Sequence, residues 1–281
     1  MQQYSGLYVL KRRKSDVYLQ EMSQFIKNMK YTLGFAALFS LLLSSCRPDP
    51  PPPDPVEETG TLTVHFDVNF NGQPFALYTP FYDVNFNYRI QPELVKFIMY
   101  NLKLKKDDGT EVIVKDAKII DITSDHYSFS LNVAPANYQG LKFGIGVGDS
   151  ATNHGDPAAY DPSHALSYNG SADMHWTWNT GYIFLKFEGR ADTTTTGTGS
   201  LNQLFALHTG DDPLYGEVVF YSNPFSITAN QNTDFRMDVD VAKFLYSATD
   251  TIDIKTENAT HSNNQLSIKF SQIYLNAFSA Q

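Results

Sequence analysis

Leu62-Thr63-Val64-His65-Phe66-Asp67-Val68-Asn69-Phe70 is a run in which every second residue is apolar and every residue between is polar. In an extended chain successive side chains leave on opposite faces, so the apolar five share one face and His65 and Asp67 share the other. That is the pattern of a strand with one side in a core and one in water. Asn71-Gly72 then marks a turn. The same period returns in Tyr127, Phe129, Leu131 and Val133, and in Phe235, Met237, Val239 and Val241. Residues 97–104 and 112–114, around Asp107-Asp108-Gly109, read as a hairpin, and 119–122 as a short strand. Leu141, Phe143, Ile145 and Val147 alternate with Gly144, Gly146 and Gly148, which implies a close approach to that face or a bulge. Strands are also expected from the tryptophan-rich stretch 174–184 through Phe187, and over 204–208, 217–221, 225–228 and 234–241.

Only two helical pieces stand out. Residues 242–246 fit one turn. Leu266, Phe270, Ile273, Tyr274 and Ala277 fall at helical spacing, with Ser262 as the expected N-cap. Many short strands with so little helix predict an all-β fold: a single antiparallel β-sandwich with one or two short helices, over residues 60–281.

The segment before it reads differently. Lys27 and Lys30 precede an apolar run, 31–43, that is too short for a comfortable membrane span but suits a signal-peptide core. Leu43-Ser44-Ser45-Cys46 resembles a bacterial lipobox, in which Cys46 becomes a lipid-modified N-terminus. Cys46 is the only cysteine, so no disulfide accounts for it. A second basic cluster, Lys11-Arg12-Arg13-Lys14, lies upstream of Met29, which reads as the true start. Residues 1–45 are thus an over-long N-terminus plus signal peptide. Residues 46–59 are a tether whose Arg47-Pro48-Asp49-Pro50-Pro51-Pro52-Pro53-Asp54-Pro55 favours polyproline II. The first 45 residues hold six Lys/Arg and two Asp/Glu, so their loss takes the net charge from −9 to −13. An acidic domain argues against nucleic acid and against a basic membrane-binding surface.

P-loop, GxSxG, CxxC and HExxH motifs do not occur, and no nucleophile is placed beside a base. Of seven histidines, His65, His126, His154, His164, His175 and His208 fall in or beside segments organised for a site. His154 and His208 lie at turn glycines, in Asn153-His154-Gly155-Asp156-Pro157 and His208-Thr209-Gly210. Neutral imidazole suits copper, zinc, iron and nickel. Asp149, Asp156, Asp161 and Asp173, on the long polar loop 149–173, offer an oxygen-rich calcium alternative without EF-hand spacing. Both tryptophans fall in Met174-His175-Trp176-Thr177-Trp178-Asn179-Thr180-Gly181-Tyr182-Ile183-Phe184. Met174, Trp176 and Trp178 share a face if this segment is extended, either as packed core or as the wall of a site.

In order along the chain, Gly60-Thr61-Leu62-Thr63-Val64-His65-Phe66-Asp67, Gly146-Val147-Gly148-Asp149-Ser150, the Asn153 to Pro157 segment, the M-x-W-x-W-x-x-G-Y motif and His208-Thr209-Gly210 resemble the MbnP family, the methanobactin-associated periplasmic copper-binding proteins, in the lipoprotein form of Bacteroidota. The resemblance runs from about Gly60 to the C-terminus. It implies a β-rich periplasmic protein that binds copper through histidines. It also implies a partner, a di-haem cytochrome c peroxidase-like protein that oxidises a tryptophan to kynurenine. Carried over by position, the metal residues are His65, His154 and His208, and the site-lining or modified residues are Trp176 and Trp178. The glycine of Gly146-Val147-Gly148-Asp149 and the threonine of His208-Thr209-Gly210 depart from the family pattern. The expected function is non-enzymatic: copper sequestration or delivery by a lipid-anchored protein, at the outer membrane and facing the periplasm. The alternative is a module whose aromatics stack on a glycan or another organic ligand.

Overall fold

The computed structural model describes residues 58–281, apart from 172, 177–180, 195 and 262–263. The expected signal peptide and tether, with Cys46 and the proline-rich run, therefore fall outside the described residues, as do Trp178 and Ser262. In chain order the strands are β1 (Gly60–Phe70), β2 (Gln73–Pro74), β3 (Phe81–Asp83), β4 (Tyr88–Lys106), β5 (Glu111–Asp121), β6 (His126–Val133) and β7 (Ala136–Ile145). After a long loop come β8 (Leu185–Asp192), β9 (Gln203–Thr209), β10 (Gly216–Phe220), β11 (Phe225–Ile227), β12 (Asn232–Asp240), β13 (Ala259–Thr260) and β14 (Phe278–Ala280).

The strands form two sheets. In the smaller, β1 lies between β12 and β6, with β14 beyond β12 and β2 on the end of β1. The larger runs β10-β7-β4-β8-β9-β13, with β3 and β5 also on β4 and β11 on β7. The expected β-sandwich is present, with two departures from antiparallel pairing. β1 and β12 run parallel in continuous register from Thr61↔Asn232 to Asn69↔Asp240, and β13 runs parallel to β9. No hairpin joins either pair, so no local turn dictates their direction.

On β1 the alternation is complete: Leu62, Val64, Phe66, Val68 and Phe70 are all buried, and the residues between them are partly exposed. The Phe66 ring packs 6.2 Å from Phe97, 6.3 Å from Phe143 and 6.4 Å from Phe129, tying both sheets into one aromatic core. Burying each such ring stabilises the fold by about 1.5–3 kcal/mol.

The hairpin expected at 97–104 is the second half of β4, a nineteen-residue strand. Its first half is masked in the sequence by Arg89, Gln91, Pro92 and Glu93. Proline cannot donate to a ladder, and the pairing with β8 slips register between Pro92 and Leu94. Further on, Phe97 and Met99 face the main core, whereas Ile98 faces a second one with Val147, Met174, Trp176, Tyr182 and Phe184. The large sheet is therefore buried on both sides where the 149–184 loop covers it.

The glycine face of β7 and the loop after it serves that cover. The Tyr215 ring lies over Gly144 and Gly148, and Phe184 over Gly146; a Cβ at Gly146 would stand 2.2 Å from Phe184 Cγ. Gly146 also has φ +101°, a conformation L-residues resist. The C-terminal helix is Gln265–Ile273, with Asn264 rather than Ser262 as N-cap, in a reciprocal capping box with Ser267. Gly146→Ala is expected to destabilise the protein by about 2–4 kcal/mol, backbone strain adding to overpacking. Urea unfolding of the variant measures this.

Candidate metal centre

Within the stretch 174–184 the described ends, 174–176 and 181–184, run antiparallel to each other and not on as one strand. They are joined by a single bridge between His175 and Tyr182, with Trp176 N–H donating to Gly181 O (3.1 Å) and Ile183 N–H to Met174 O (2.9 Å). Gly181 has φ +116°, which explains a glycine at this corner. Asn153 holds the hairpin from outside: its Oδ1 accepts Tyr182 N–H at 3.0 Å and its Nδ2 donates to Asp212 Oδ1 at 2.7 Å. Met174 and Trp176 share a buried face, as alternation implied, and Trp176 is 7 % exposed.

The edge of Trp176 meets the turn after β9. Its Nε1–H donates to Gly210 O at 3.4 Å, and a Cβ at Gly210 would stand 2.7 Å from Cζ2 of the indole. Glycine at 210 is thus what lets the indole reach His208, whose ring centroid lies 6.3 Å from it.

His208 is held from two directions. On β8, Lys186 pairs with His208 in register, which sets Glu188 diagonally across from the histidine. Glu188 Oε1 lies 2.8 Å from His208 Nε2. On the other side β13 aligns Ala259 with Ala206 and Thr260 with Leu207, so the next residue, His261, falls beside His208. The Asn264 cap fixes the chain's departure, and Thr260 Oγ1 donates to its side chain. The two Nδ1 atoms are 3.1 Å apart, with the rings 4.8 Å apart at 64°.

A carboxylate only accepts, so His208 Nε2 carries a proton, and in the neutral ring Nδ1 then turns its lone pair toward His261. The hydrogen bond from His208 holds the Glu188 carboxyl below its usual range, against its burial. Burial, and after it the neighbouring His208, pushes His261 below the ordinary histidine value, so its neutral form is favoured. At 3.1 Å the two Nδ1 atoms are close enough for one proton to lie between them. They also span less than the roughly 4 Å available to two nitrogens each about 2.0 Å from one ion.

Both rings line a cavity of about 610 Å³, with Trp176, Ile183, His175, Lys186 and Asp173 as the other walls. Lys96 bridges Asp173 at 3.2 Å and Asp121 at 3.0 Å near this rim. His175 Nδ1 donates to Trp176 O (3.0 Å), and its Nε2 is buried with no hydrogen-bond partner among the described residues.

The three histidines carried over by resemblance occupy three settings. His208 is at the cavity. His154 is not a wall of it; its Nε2 lies 3.3 Å from Asp212 Oδ1. His65 is on the other sheet, 2.9 Å from Asp234. Trp176 lines the cavity and is at once core and wall. His164 pins the long loop, 2.6 Å from Asp116 and stacked on Tyr160. The aspartates of the calcium alternative are spent locally. Asp149 and Asp156 cap short helical turns, Asp161 binds Ser163 and Asp173 binds Lys96. Among the described residues no three His, Cys, Asp or Glu side chains converge as a metal cage. No local motif singles out His261 or Glu188 as a site residue. His261 becomes visible only through the β9–β13 pairing, which leaves no local pattern.

A protein-family model described as MbnP matches residues 59–267. Among solved structures, MbnP from Methylosinus trichosporium is similar at 13% identity and a TM-score of 0.44, over 69% of this chain and 80% of that one. No curated protein matches the chain.

A carboxylate titrating below its unfolded value stabilises the fold above the ordinary glutamate pKa, and the contribution is lost as pH falls through the lowered folded value. Glu188→Gln is therefore expected to lower the melting temperature at neutral pH. The difference should close well below pH 4.5, the ordinary value for this group. Thermal unfolding across pH gives the comparison.

Proposed function

The chain belongs to the MbnP family, and on that premise we propose that it binds copper through His208 and His261, beside the indole of Trp176. The observation that carries this reading is the facing Nδ1 pair, 3.1 Å apart in a lined cavity, with Glu188 behind one ring. The donor set fits the metal. Imidazole nitrogen suits copper, and no thiolate lines the cavity among the described residues. Bound there, copper would supply one-electron chemistry next to a tryptophan.

The chain's own residues hold the site in readiness. Glu188 keeps the His208 proton on Nε2, leaving Nδ1 as the donor atom. The capped C-terminal helix fixes where His261 stands. Trp176 and Ile183 keep that side of the cavity apolar, and Lys96 neutralises Asp173 at the rim. Nothing in this arrangement pairs a nucleophile with a base, so the role proposed is binding, as sequestration or delivery, and not catalysis. The Trp176 indole itself is too buried to offer a stacking face for a sugar.

The same reading places the protein at the cell envelope, lipid-anchored through Cys46 on its proline tether. A di-haem cytochrome c peroxidase-like partner would oxidise Trp176 or Trp178 to kynurenine. Intact-mass measurement of the native protein tests lipidation and oxidation together.

Copper(I) titration of the full-length chain against a chromophoric chelator tests the site. His208→Ala and His261→Ala should each abolish competition at chelator strengths the parent withstands. Glu188→Gln should weaken affinity by about 10–100-fold. His154→Ala should leave it unchanged. Copper retention in both cavity variants would refute the assignment.

A further inference from the structure

The polar face of β1 carries a second pair of histidines. The β1–β6 register sets Asp67 opposite His126 and His65 opposite Ser128, so the two histidines are diagonal neighbours. Their ring centroids are 5.4 Å apart, tilted by 36°. Each ring has one nitrogen committed to a carboxylate. His65 Nε2 lies 2.9 Å from Asp234 Oδ1, and His126 Nδ1 lies 3.0 Å from Asp67 Oδ1. Because those oxygens accept, the committed nitrogens carry protons, and in the neutral rings lone pairs are left on His65 Nδ1 and His126 Nε2.

Two further observations bear on this pair. His65 Nδ1 is buried and has no hydrogen-bond partner among the described residues, and a buried acceptor without a donor costs about 1–3 kcal/mol. The charges around the rings are also unbalanced. Asp67 binds Arg236 at 3.0 Å, and Gln281 ties Asp67 to Asp238. With Asp234, that makes three carboxylates against one guanidinium. That excess of acidic side chains makes the patch attractive to a cation.

We propose that His65 and His126 bind a divalent transition-metal ion of the zinc, nickel or copper(II) class, with water completing its coordination. Two imidazoles whose far nitrogens are oriented by carboxylates are the donor arrangement that suits such ions. A calcium ion would want six or more oxygens instead. His126, at 45 % side-chain exposure, is the ring with room to adjust on binding. This site lies on the small sheet and does not depend on the cavity reading.

The test is calorimetric titration of zinc chloride into the full-length chain carrying His208→Ala and His261→Ala, which removes the cavity pair. One zinc should bind at pH 7.5. Affinity should drop at least tenfold on adding His65→Ala or His126→Gln, and about tenfold or more on adding Asp234→Asn. Binding should be lost in acid, where imidazole is protonated. His126→Gln is a half-exposed, polar-for-polar change, so an unaltered melting temperature confirms that its effect is not unfolding. No zinc uptake, or uptake unchanged by His126→Gln, overturns the proposal.

Discussion

Strand β4 has to bury both of its faces at once, and most of the architecture follows from how that is done. Phe97 and Met99 take one side of the strand to the aromatic core against the small sheet, while Ile98 takes the other to the cluster under the 149–184 loop. A sheet exposed on that second face would leave Ile98, Val147 and Phe184 in water, at about 1.5–3 kcal/mol for each large side chain. The loop therefore cannot be an ornament. It is a lid of core residues, and the candidate metal centre is built along the seam where the lid's edge, at Trp176, meets β9.

That arrangement explains which parts of the fold could be read from residues alone. β1 faces a core on one side only, and its alternation is complete, so strand, face and buried set all follow from nine residues. β4 is harder. Where both faces are buried the period vanishes into the apolar run Phe97-Ile98-Met99, and where Pro92 interrupts the ladder the strand looks like a loop. The stretch 174–184 misleads for a related reason. Its apolar content is that of a strand, but Gly181 turns it back on itself, and its buried residues are core because they form a lid.

The candidate site divides the same way. His208 and Trp176 sit in recognisable local sequence, and the geometry does bring them within one ring's breadth of each other. Asn153 shows how a neighbour can matter more than the histidine that draws attention: it cross-links the tryptophan hairpin to Asp212, whereas His154, also beside Asp212, is not among the cavity's walls. His261 has no local signature because what qualifies it is a parallel pairing of two residues, β13 on β9. Partnership across a sheet is a tertiary fact, and a histidine next to a short, unremarkable segment carries no trace of it.

The parallel pairing of β1 with β12 has a consequence for how the chain reaches this structure. His65 and the aspartate that orients it are 169 residues apart, and Gln281 reaches Asp67 across 214. A first strand whose partner is made so late cannot complete its sheet while the chain is still emerging. Contacts of such separation are slow to form, since the entropy of closing the loop is lost before the pairing rewards it. The small sheet must then assemble after the whole domain has been made. Until that moment β1 presents an unpaired, half-apolar edge, the kind of surface on which folding and aggregation compete.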